Sequence, residues 1–286
     1  MVSISEVAEA QRAFWNGEAS ASWIKEQEQR DQTLAPLGEL AMARLPLEAG
    51  SRVLDIGTGC GDTSLALANR VGADGHVLGV DLSEPMLARA EERRRAAGIS
   101  QLRLLSGDAA TQIFPDGPFD AVFSRFGVMF FADPVGAFRN LRAAMRADGM
   151  LAFVCWRPVA ENPWVAVPRE VVLRHVTPPP QAPDAPGQFS FADSSRVEGI
   201  LADAGFADIR FEAYDREFTI TTSRDLDAAV EAVMVRGPAG RFLRDADEAT
   251  LAKVRTDMAP VIAPLVGDAG LVLGCGVWVV SARNPG

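Results

Sequence analysis

The chain has 286 residues, of which 48% are hydrophobic and 23% charged, and its net charge is −10 at neutral pH. The length leaves room for one sizeable α/β domain with a helical addition and is short for two large domains, and the hydrophobic fraction suits a globular core. The negative charge argues against nucleic acid as a partner, because the charge would repel a phosphate backbone.

The N-terminus, the apolar segments and the cysteines argue against a secreted, a membrane-spanning or a zinc-binding protein. The first residues lack the basic and apolar regions of a signal peptide. No apolar stretch reaches the roughly 20 residues needed to span a bilayer. Cys60, Cys155 and Cys275 are too far apart to suggest a zinc site or a redox pair. We therefore expect a soluble, cytoplasmic protein that binds no metal and no membrane, as a monomer or a homodimer.

Helical and strand patterns alternate along the first half of the chain. Residues 1–48 are predicted to be helical, because apolar side chains recur along them. The predicted strands are residues 52–56, 76–81, 102–105, 119–124 and 150–156. The predicted helices are residues 62–71, a helix capped by Ser83 and ended by Gly98, and one that runs from Asp133 to Gly149. This alternation predicts βαβ units and a parallel sheet.

The pattern changes after Trp156. Residues 157–190 are rich in proline, including Pro179 and Pro180, and do not continue a regular element. A helix is predicted at residues 193–204, and two long strands at 206–220 and 271–282, with mostly helical residues between the strands. We divide the chain into a helical cap (1–48), a ligand-binding core (49–158) and a lid with the terminal strands (159–286).

The loop after the first strand carries the main functional motif, VLDIGTGCGDTS at residues 53–64. Its glycines, Gly57, Gly59 and Gly61, permit positive φ angles and let a ligand approach the backbone. Such a loop between a strand and a helix serves a dinucleotide, a mononucleotide, S-adenosylmethionine or only a tight turn. A dinucleotide loop has glycine or alanine where this chain has Asp62, whose charge would meet the pyrophosphate.

Four acidic residues, Asp55, Asp62, Asp81 and Asp108, are predicted at the same edge of the sheet. Each alone is equally well a helix cap or a turn residue. Together they suit S-adenosylmethionine, which carries a sulfonium and an ammonium against one carboxylate. Asp81 ends the second strand, where an acid can accept hydrogen bonds from ribose hydroxyls. Asp108 could reach the adenine amino group, or it is a turn aspartate.

Four motifs in order resemble the class I S-adenosylmethionine-dependent methyltransferases. They are VLDIGTGCGDTS, LGVDLSEPML (78–87), LSGDAATQIFPDGPFDAVFSRFGVMFF (105–131) and GMLAFVCWRP (149–158). The resemblance is greatest to the branch of ubiquinone- and menaquinone-biosynthesis-type and other small-molecule methyltransferases. It implies a Rossmann-like α/β fold with a seven-stranded sheet, in the order 3-2-1-4-5-7-6 and with the last strand antiparallel.

The resemblance also implies roles for single residues. Asp55 would hold the methionine ammonium, Asp81 the ribose and Asp108 the adenine, while the end of the fourth strand would lie beside the methionine tail. The implied cofactor-binding residues are Trp23, Asp55, Gly57, Thr58, Gly59, Asp81, Leu82, Met86, Gly107, Asp108, Ala109, Ser124, Arg125 and Phe126. Trp23, like Trp15, lies in the N-terminal segment that covers the cofactor in similar proteins, and both are equally well ordinary core residues.

The end of the fourth strand departs from one branch of that family. It reads SRFGVMFF, without the Asn-Pro-Pro-aromatic motif of nucleic-acid amino methyltransferases, so DNA and RNA are disfavoured. An apolar or aromatic small-molecule acceptor is suggested by residues that could equally pack the lid. These residues are Trp156, Trp164, Phe189, Phe191 and Met234.

No catalytic residue is diagnostic in this sequence. Methyl transfer is an in-line displacement that needs mainly orientation, and a base only for some acceptors. The candidates are His175, Tyr214 and Arg125, and Arg125 could bind either an acceptor carboxylate or an acid of the core. We interpret the positive charges at 93–95 as a solvated helix end. A non-catalytic S-adenosylmethionine-binding regulator and an NAD(P)-dependent oxidoreductase are the alternatives.

Overall fold

The computed structural model describes residues 3–178, 182, 185–236 and 238–286. Its helices are α1 (Ile4–Asn16), α2 (Glu18–Lys25), α3 (Gln27–Met42), α4 (Asp62–Val71), α5 (Glu84–Ala96), α6 (Pro134–Ala143), α7 (Pro163–Val172), α8 (Ser194–Asp203), α9 (Leu226–Arg236) and α10 (Glu248–Ile262). Its strands are β1 (Arg52–Ile56), β2 (His76–Asp81), β3 (Leu102–Ser106), β4 (Phe119–Arg125), β5 (Met145–Trp156), β6 (Ala207–Thr221), β7 (Val266–Gly267) and β8 (Gly270–Arg283). Pro179 and Pro180 lie outside the described residues.

One sheet organises the strands in the order β3-β2-β1-β4-β5-β8-β6, and β7 pairs with β8. The pairs β1–β2, β2–β3, β1–β4 and β4–β5 are parallel. Strand β8 runs antiparallel to β5. The Asp148 N–H donates to the Asn284 carbonyl and the Arg157 N–H to the Gly276 carbonyl, so residue numbers rise along one strand as they fall along the other. The order is the predicted one once the two-residue β7 is left out, so the predicted fold class is confirmed.

The central strands are buried because the sheet is covered on both faces. In β1, Val53 and Leu54 are completely buried, as are Val122 and Phe123 in β4. Such continuous apolar runs are typical of parallel strands between two layers of helices. The parallel pairing brings the carboxyl ends of β1 to β4 to one edge, where the loops that follow them meet.

The boundary between α6 and β5 differs from the prediction. The helix that we predicted to run to Gly149 ends at Ala143, and β5 begins at Met145. The reason is pairing with residues distant in sequence: Met145 is opposite Phe119, and the Asn284 N–H donates to the Gly149 carbonyl at 2.9 Å. The bounds of β1, α4 and β2 are as predicted.

The chain divides into two compact units. Unit 1 comprises Met1–Cys155, Asp184–Glu212 and Trp278–Gly286, and unit 2 comprises Trp156–Pro183 and Ala213–Val277. The predicted three-part division stays a prediction. Within the described ranges, no helix has both the length and the apolar character needed to cross a bilayer.

Candidate functional site

The glycine loop lies between β1 and α4 in unit 1, and its backbone depends on glycine. Gly57, Gly59 and Gly61 have φ angles of 74°, 55° and 88°. A Cβ atom on Gly57 would lie 2.8 Å from the Cα of Gly127, whereas one on Gly59 would meet no atom within 4 Å. The loop therefore packs closely against the chain after β4 at Gly57 and has open space at Gly59.

Asp55, in β1, is completely buried. Its Oδ2 atom accepts hydrogen bonds from Thr63 Oγ1 at 2.7 Å and Ser64 Oγ at 2.6 Å. Its Oδ1 atom has no hydrogen-bond partner among the described residues. Burial raises the pKa of Asp55, and the hydroxyl hydrogen bonds oppose that rise. A buried carboxylate oxygen without a donor is costly, so Oδ1 is a place where a ligand could supply the missing donor.

Asp81 ends β2 and meets the glycine loop directly. Its Oδ2 atom accepts from the Gly59 N–H and its Oδ1 atom from the Ser83 N–H, both at 2.8 Å. Burial raises the pKa of Asp81 to about 6. Each carboxylate oxygen can accept more than one hydrogen bond, so Asp81 can still accept two ligand hydroxyls. The glycine loop is further tied to β2 because Thr58 donates its N–H to the Val80 carbonyl.

The loop after β3 holds Asp108 in a turn. Asp108 Oδ1 accepts from the Ala110 N–H at 2.9 Å, which is the turn role that the sequence left open. The Gly107 N–H donates to the Asp81 carbonyl, and Asn140 donates to the Ala109 carbonyl. The loop is therefore fixed next to β2, and the proposed contact of Asp108 and its neighbours with adenine stays a prediction.

The loop between β2 and α5 is held by two hydrogen bonds to Asn16, a residue that the sequence analysis did not identify. Asn16, the last residue of α1, donates to the Leu82 carbonyl at 2.9 Å and accepts from the Glu84 N–H at 3.0 Å. Leu82 is half-buried, and Met86 is buried in the first turn of α5. No local signal marks Asn16, because its partners lie far along the chain. The adenosine contacts of Leu82 and Met86 stay predictions.

Ser124 and Phe126 shape the turn after β4. The buried Ser124 hydroxyl donates to the Ile56 carbonyl at 2.8 Å and accepts from the Gly127 N–H at 3.2 Å. It therefore fastens this turn to β1. Phe126 has a φ of 59°, a left-handed conformation that is uncommon for a bulky residue and recurs at functional sites.

Arg125 pairs with acids of its own unit, which resolves one alternative left open by the sequence. Its Nη1 lies 2.7 Å from Asp62 Oδ2, and its Nη2 lies 3.8 Å from Asp31 Oδ1. Asp62, which was predicted at the edge of the sheet with the other acids, forms an ion pair with Arg125, and its role toward a ligand stays a prediction. The interpretation of Arg93 as part of a solvated helix end is wrong, since its Nη2 lies 3.0 Å from Asp31 Oδ2.

The N-terminal tryptophans pack against the loop that follows β4. The ring centroids of Trp15 and Phe130 are 5.1 Å apart, and those of Trp15 and Trp23 are 6.3 Å apart. The guanidinium of Arg30 lies 4.5 Å from the Trp23 ring centroid. This is the packing role that the sequence allowed, and contact of Trp23 with a cofactor stays a prediction.

Two of the candidate catalytic residues belong to unit 2. His175 Nε2 lies 2.9 Å from Asp257 Oδ2, and the Arg216 guanidinium lies 5.2 Å from the ring centroid of Tyr214. Their catalytic roles stay predictions.

The aromatic side chains suggested for an acceptor fall into different units. Within unit 2, Trp164 packs on Trp156 and on Phe218, with centroid distances of 4.9 and 4.4 Å. Phe191 is instead part of the buried core of unit 1, 6.2 Å from Phe138 and from Phe153. It is therefore a packing residue, and the structure does not support its suggested place in an acceptor pocket.

The loops at the edge of the sheet together suit one kind of ligand. Asp55 offers a buried acceptor that has no donor among the described residues, and Asp81 offers acceptors for a pair of hydroxyls. Gly59 has open space where a Cβ atom would lie. A ligand with an ammonium group and a ribose satisfies these groups without leaving a buried charge unpaired.

Comparison with known proteins gives the family of this site. Residues 53–149 match the family described as "Methyltransferase domain". The chain is 35% identical over 112 residues to a demethylmenaquinone methyltransferase of Geobacillus kaustophilus, which is 39% of this chain and 48% of that protein. It is 37% identical over 141 residues to the protein of the same name from Thermus thermophilus, 49% of this chain and 60% of that protein.

The match therefore spans only about half the length of the first of these curated relatives. In fold, the chain is similar to a putative methyltransferase of Bacillus halodurans, with a TM-score of 0.57 and 20% identity over 89% of this chain and all of that one. The matched segment contains the glycine loop together with Asp55 and Asp81. Residues 53–149 are thus a class I methyltransferase domain, of the family whose cofactor is S-adenosylmethionine.

Proposed function

We propose that the chain transfers a methyl group from S-adenosylmethionine to a small-molecule acceptor by in-line displacement. The observation that supports this most directly is the buried Asp55 Oδ1, which lacks a donor within the described residues and belongs to the matched domain. A non-catalytic regulator would share the cofactor site, so turnover has to be tested separately from binding.

The residues at the sheet edge fit the cofactor. Asp55 Oδ1 would accept from its ammonium, and Asp81 would accept from its ribose hydroxyls. The space at Gly59 would admit it next to the backbone. When bound, S-adenosylmethionine supplies an electrophilic methyl group on a sulfonium that departs as a neutral thioether.

The chain itself has to orient the acceptor and exclude water. Orientation of two reactants can contribute roughly 7–11 kcal/mol to lowering the barrier. A base is needed only when the acceptor atom must lose a proton. Among the candidates, His175 has an orienting carboxylate, because Asp257 binds its Nε2 and leaves Nδ1 to take a proton.

We propose an apolar or aromatic acceptor, and the first compounds to test are demethylmenaquinol analogues. The relatives in Geobacillus kaustophilus and Thermus thermophilus carry the name demethylmenaquinone methyltransferase. A hydroxylated aromatic ring of that kind is an oxygen or carbon nucleophile that must lose a proton.

Cofactor binding is tested by titration calorimetry with S-adenosylmethionine and with NADH and NADPH. The wild type is expected to bind only S-adenosylmethionine. Asp81→Asn keeps the shape of the side chain but removes its charge and replaces one of its two acceptor oxygens with a donor, so we expect about 10- to 100-fold weaker binding. Asp74→Asn is the matched control, because Asp74 is exposed before β2, away from the strand ends that carry the site. Binding of NAD(P)H alone, or equal affinities for wild type and Asp81→Asn, would contradict the assignment.

Turnover is tested by measuring S-adenosylhomocysteine release with demethylmenaquinol analogues and other hydroxylated aromatic compounds. An enzyme releases it faster with at least one acceptor than without any. Cofactor binding combined with no acceptor-dependent release across the panel would favour the regulator.

A further inference from the structure

Four side chains from four elements of unit 1 form an ion network next to the glycine loop. Asp62, the first residue of α4, lies 2.7 Å from Arg125 at the end of β4 and 3.7 Å from Arg93 of α5. Asp31 of α3 lies 3.0 Å from Arg93 and 3.8 Å from Arg125. The network thus joins the N-terminal helices to the three elements that surround the cofactor loop.

The network is charge-balanced and mostly shielded from water. It contains two acids and two arginines, and the exposed fractions of the side chains run from 10% for Arg125 to 25% for Asp62. Gln27 donates to Asp31 and accepts from Arg89, which extends the contact along α3 and α5. Removing one member of such a network leaves the remaining charges unpaired in a poorly solvated place.

Of the two arginines, Arg93 contacts the glycine loop directly, whereas Arg125 contacts Asp62, the first residue after that loop. Arg93 Nη1 donates to the Cys60 carbonyl at 2.7 Å, within the loop. Arg125 precedes the turn in which Gly127 packs against Gly57. Asp31 forms ion pairs with both arginines, so its charge influences the positions of their guanidinium groups. Through Arg93 it also influences the conformation of the glycine loop.

Other residues of the N-terminal segment contact the remaining loops of the site. Asn16 clamps the loop after β2, and Trp15 packs against Phe130 after β4. These contacts involve no charge and are independent of the ion network. The N-terminal helices therefore contact the loops after β2 and β4 directly, and they are linked to the loop after β1 through Arg93.

We propose that Asp31 is a positioning residue that couples docking of the N-terminal helices to binding of the cofactor at the glycine loop. The coupling is reciprocal: bound cofactor stabilises the docked helices, and the docked helices strengthen cofactor binding. This inference rests on the proposed function, because it takes the glycine loop to be the cofactor site.

The test compares Asp31→Asn with Asp31→Glu and Glu39→Gln. Glu39 and Arg70 join the same helices, α3 and α4, through an exposed ion pair outside the network, so Glu39→Gln is the matched control. The affinity for S-adenosylhomocysteine is measured by titration calorimetry. Trypsin cleavage after the exposed Lys25 is measured with and without saturating S-adenosylhomocysteine.

For the wild type and Glu39→Gln, S-adenosylhomocysteine is expected to bind and to slow cleavage. For Asp31→Asn, we expect about tenfold weaker binding and cleavage that saturating ligand no longer slows. Asp31→Glu keeps the charge, so it is expected to restore both readouts. A general packing role would weaken binding equally in Asp31→Asn and Glu39→Gln.

Two results would overturn the proposal: wild-type affinity in Asp31→Asn, or equal losses in Asp31→Asn and Glu39→Gln. If Asp31→Asn does not fold, Arg93→Gln removes the other half of the ion pair, and wild-type affinity in that variant also overturns the proposal. A wild type that fails to bind S-adenosylhomocysteine refutes the proposed function itself, which separates the two failures.

Discussion

Asp55 is buried and Asp81 is half-buried, and the two acids use their oxygens differently. One oxygen of Asp55 accepts from two hydroxyls, and the other has no donor within the part of the chain that the structure describes. Each oxygen of Asp81 accepts from one backbone N–H. Burial raises the pKa of both, and the charge of Asp55 raises that of Asp81 further. The charge of Asp81 therefore changes near pH 6.

Cofactor affinity should depend on pH through Asp81. Its pKa without ligand is about 6, above the ordinary 3.8, so on its own this group makes the fold less stable as pH rises from about 4 to 6. Ribose hydroxyls donate to the ionised form, so binding favours that form. We expect the affinity for S-adenosylmethionine to be constant above pH 7 and to fall below pH 6, by up to about tenfold per pH unit.

Calorimetric titrations between pH 5 and pH 8 measure this dependence. In Asp81→Asn the curve should be flatter, because the group whose ionisation controls binding is gone. Affinity that stays constant to pH 5, or rises as the pH falls, would show that an ionised Asp81 does not hold the ligand.

The sequence was enough to predict that Asp55 and Asp81 lie at strand ends, but not which residues form ion pairs with the acids. Asp55 and Asp81 lie at strand ends, and the strands were recognisable from local patterns. The partner of Asp62 could not be predicted, because Arg125 is 63 residues further along the chain. Asp31 carried no signal at all, since its role depends on how α3 docks on α4 and α5.

At the scale of elements, local signals determined β1, the glycine loop and α4. A short apolar run, three glycines and an amphipathic segment follow one another, and the predicted bounds were confirmed. The prediction failed at α6 and β5, where Arg146 and Asp148 look like the polar end of a helix. These residues are in a strand because β8 pairs with that segment from the other end of the chain.

Substitution of Gly57 tests how strictly the loop requires glycine. Gly57→Ala combines a positive φ with a Cβ only 2.8 Å from backbone atoms of Gly127, so we expect a loss of about 2–4 kcal/mol in unfolding free energy. Gly199→Ala is the control, because Gly199 lies exposed in α8 with no atom near its Cβ position. It should stabilise the fold by up to about 1 kcal/mol.

Urea unfolding of both variants measures these changes. A free energy of unfolding for Gly57→Ala equal to that of the wild type would mean that the close approach to Gly127 is not required.

At the scale of the whole molecule, we propose that donor and acceptor are recognised by different parts of the sequence. Residues 53–149 are the part matched by the methyltransferase family, and they contain most of the residues of the proposed donor site. The relatives match no more than half of the chain, so the rest is where acceptor choice can differ between them. This explains why the sequence predicted the cofactor but not the acceptor. The net charge of −10 agrees with a small acceptor rather than a nucleic acid.

The most direct test of the cofactor site is a crystal structure of the protein with S-adenosylhomocysteine. We predict the ligand's ammonium within hydrogen-bond distance of Asp55 Oδ1, and both ribose hydroxyls on the Asp81 carboxylate. A ligand bound elsewhere, or one that leaves Asp55 Oδ1 without a donor and Asp81 without a ribose, would contradict the assignment.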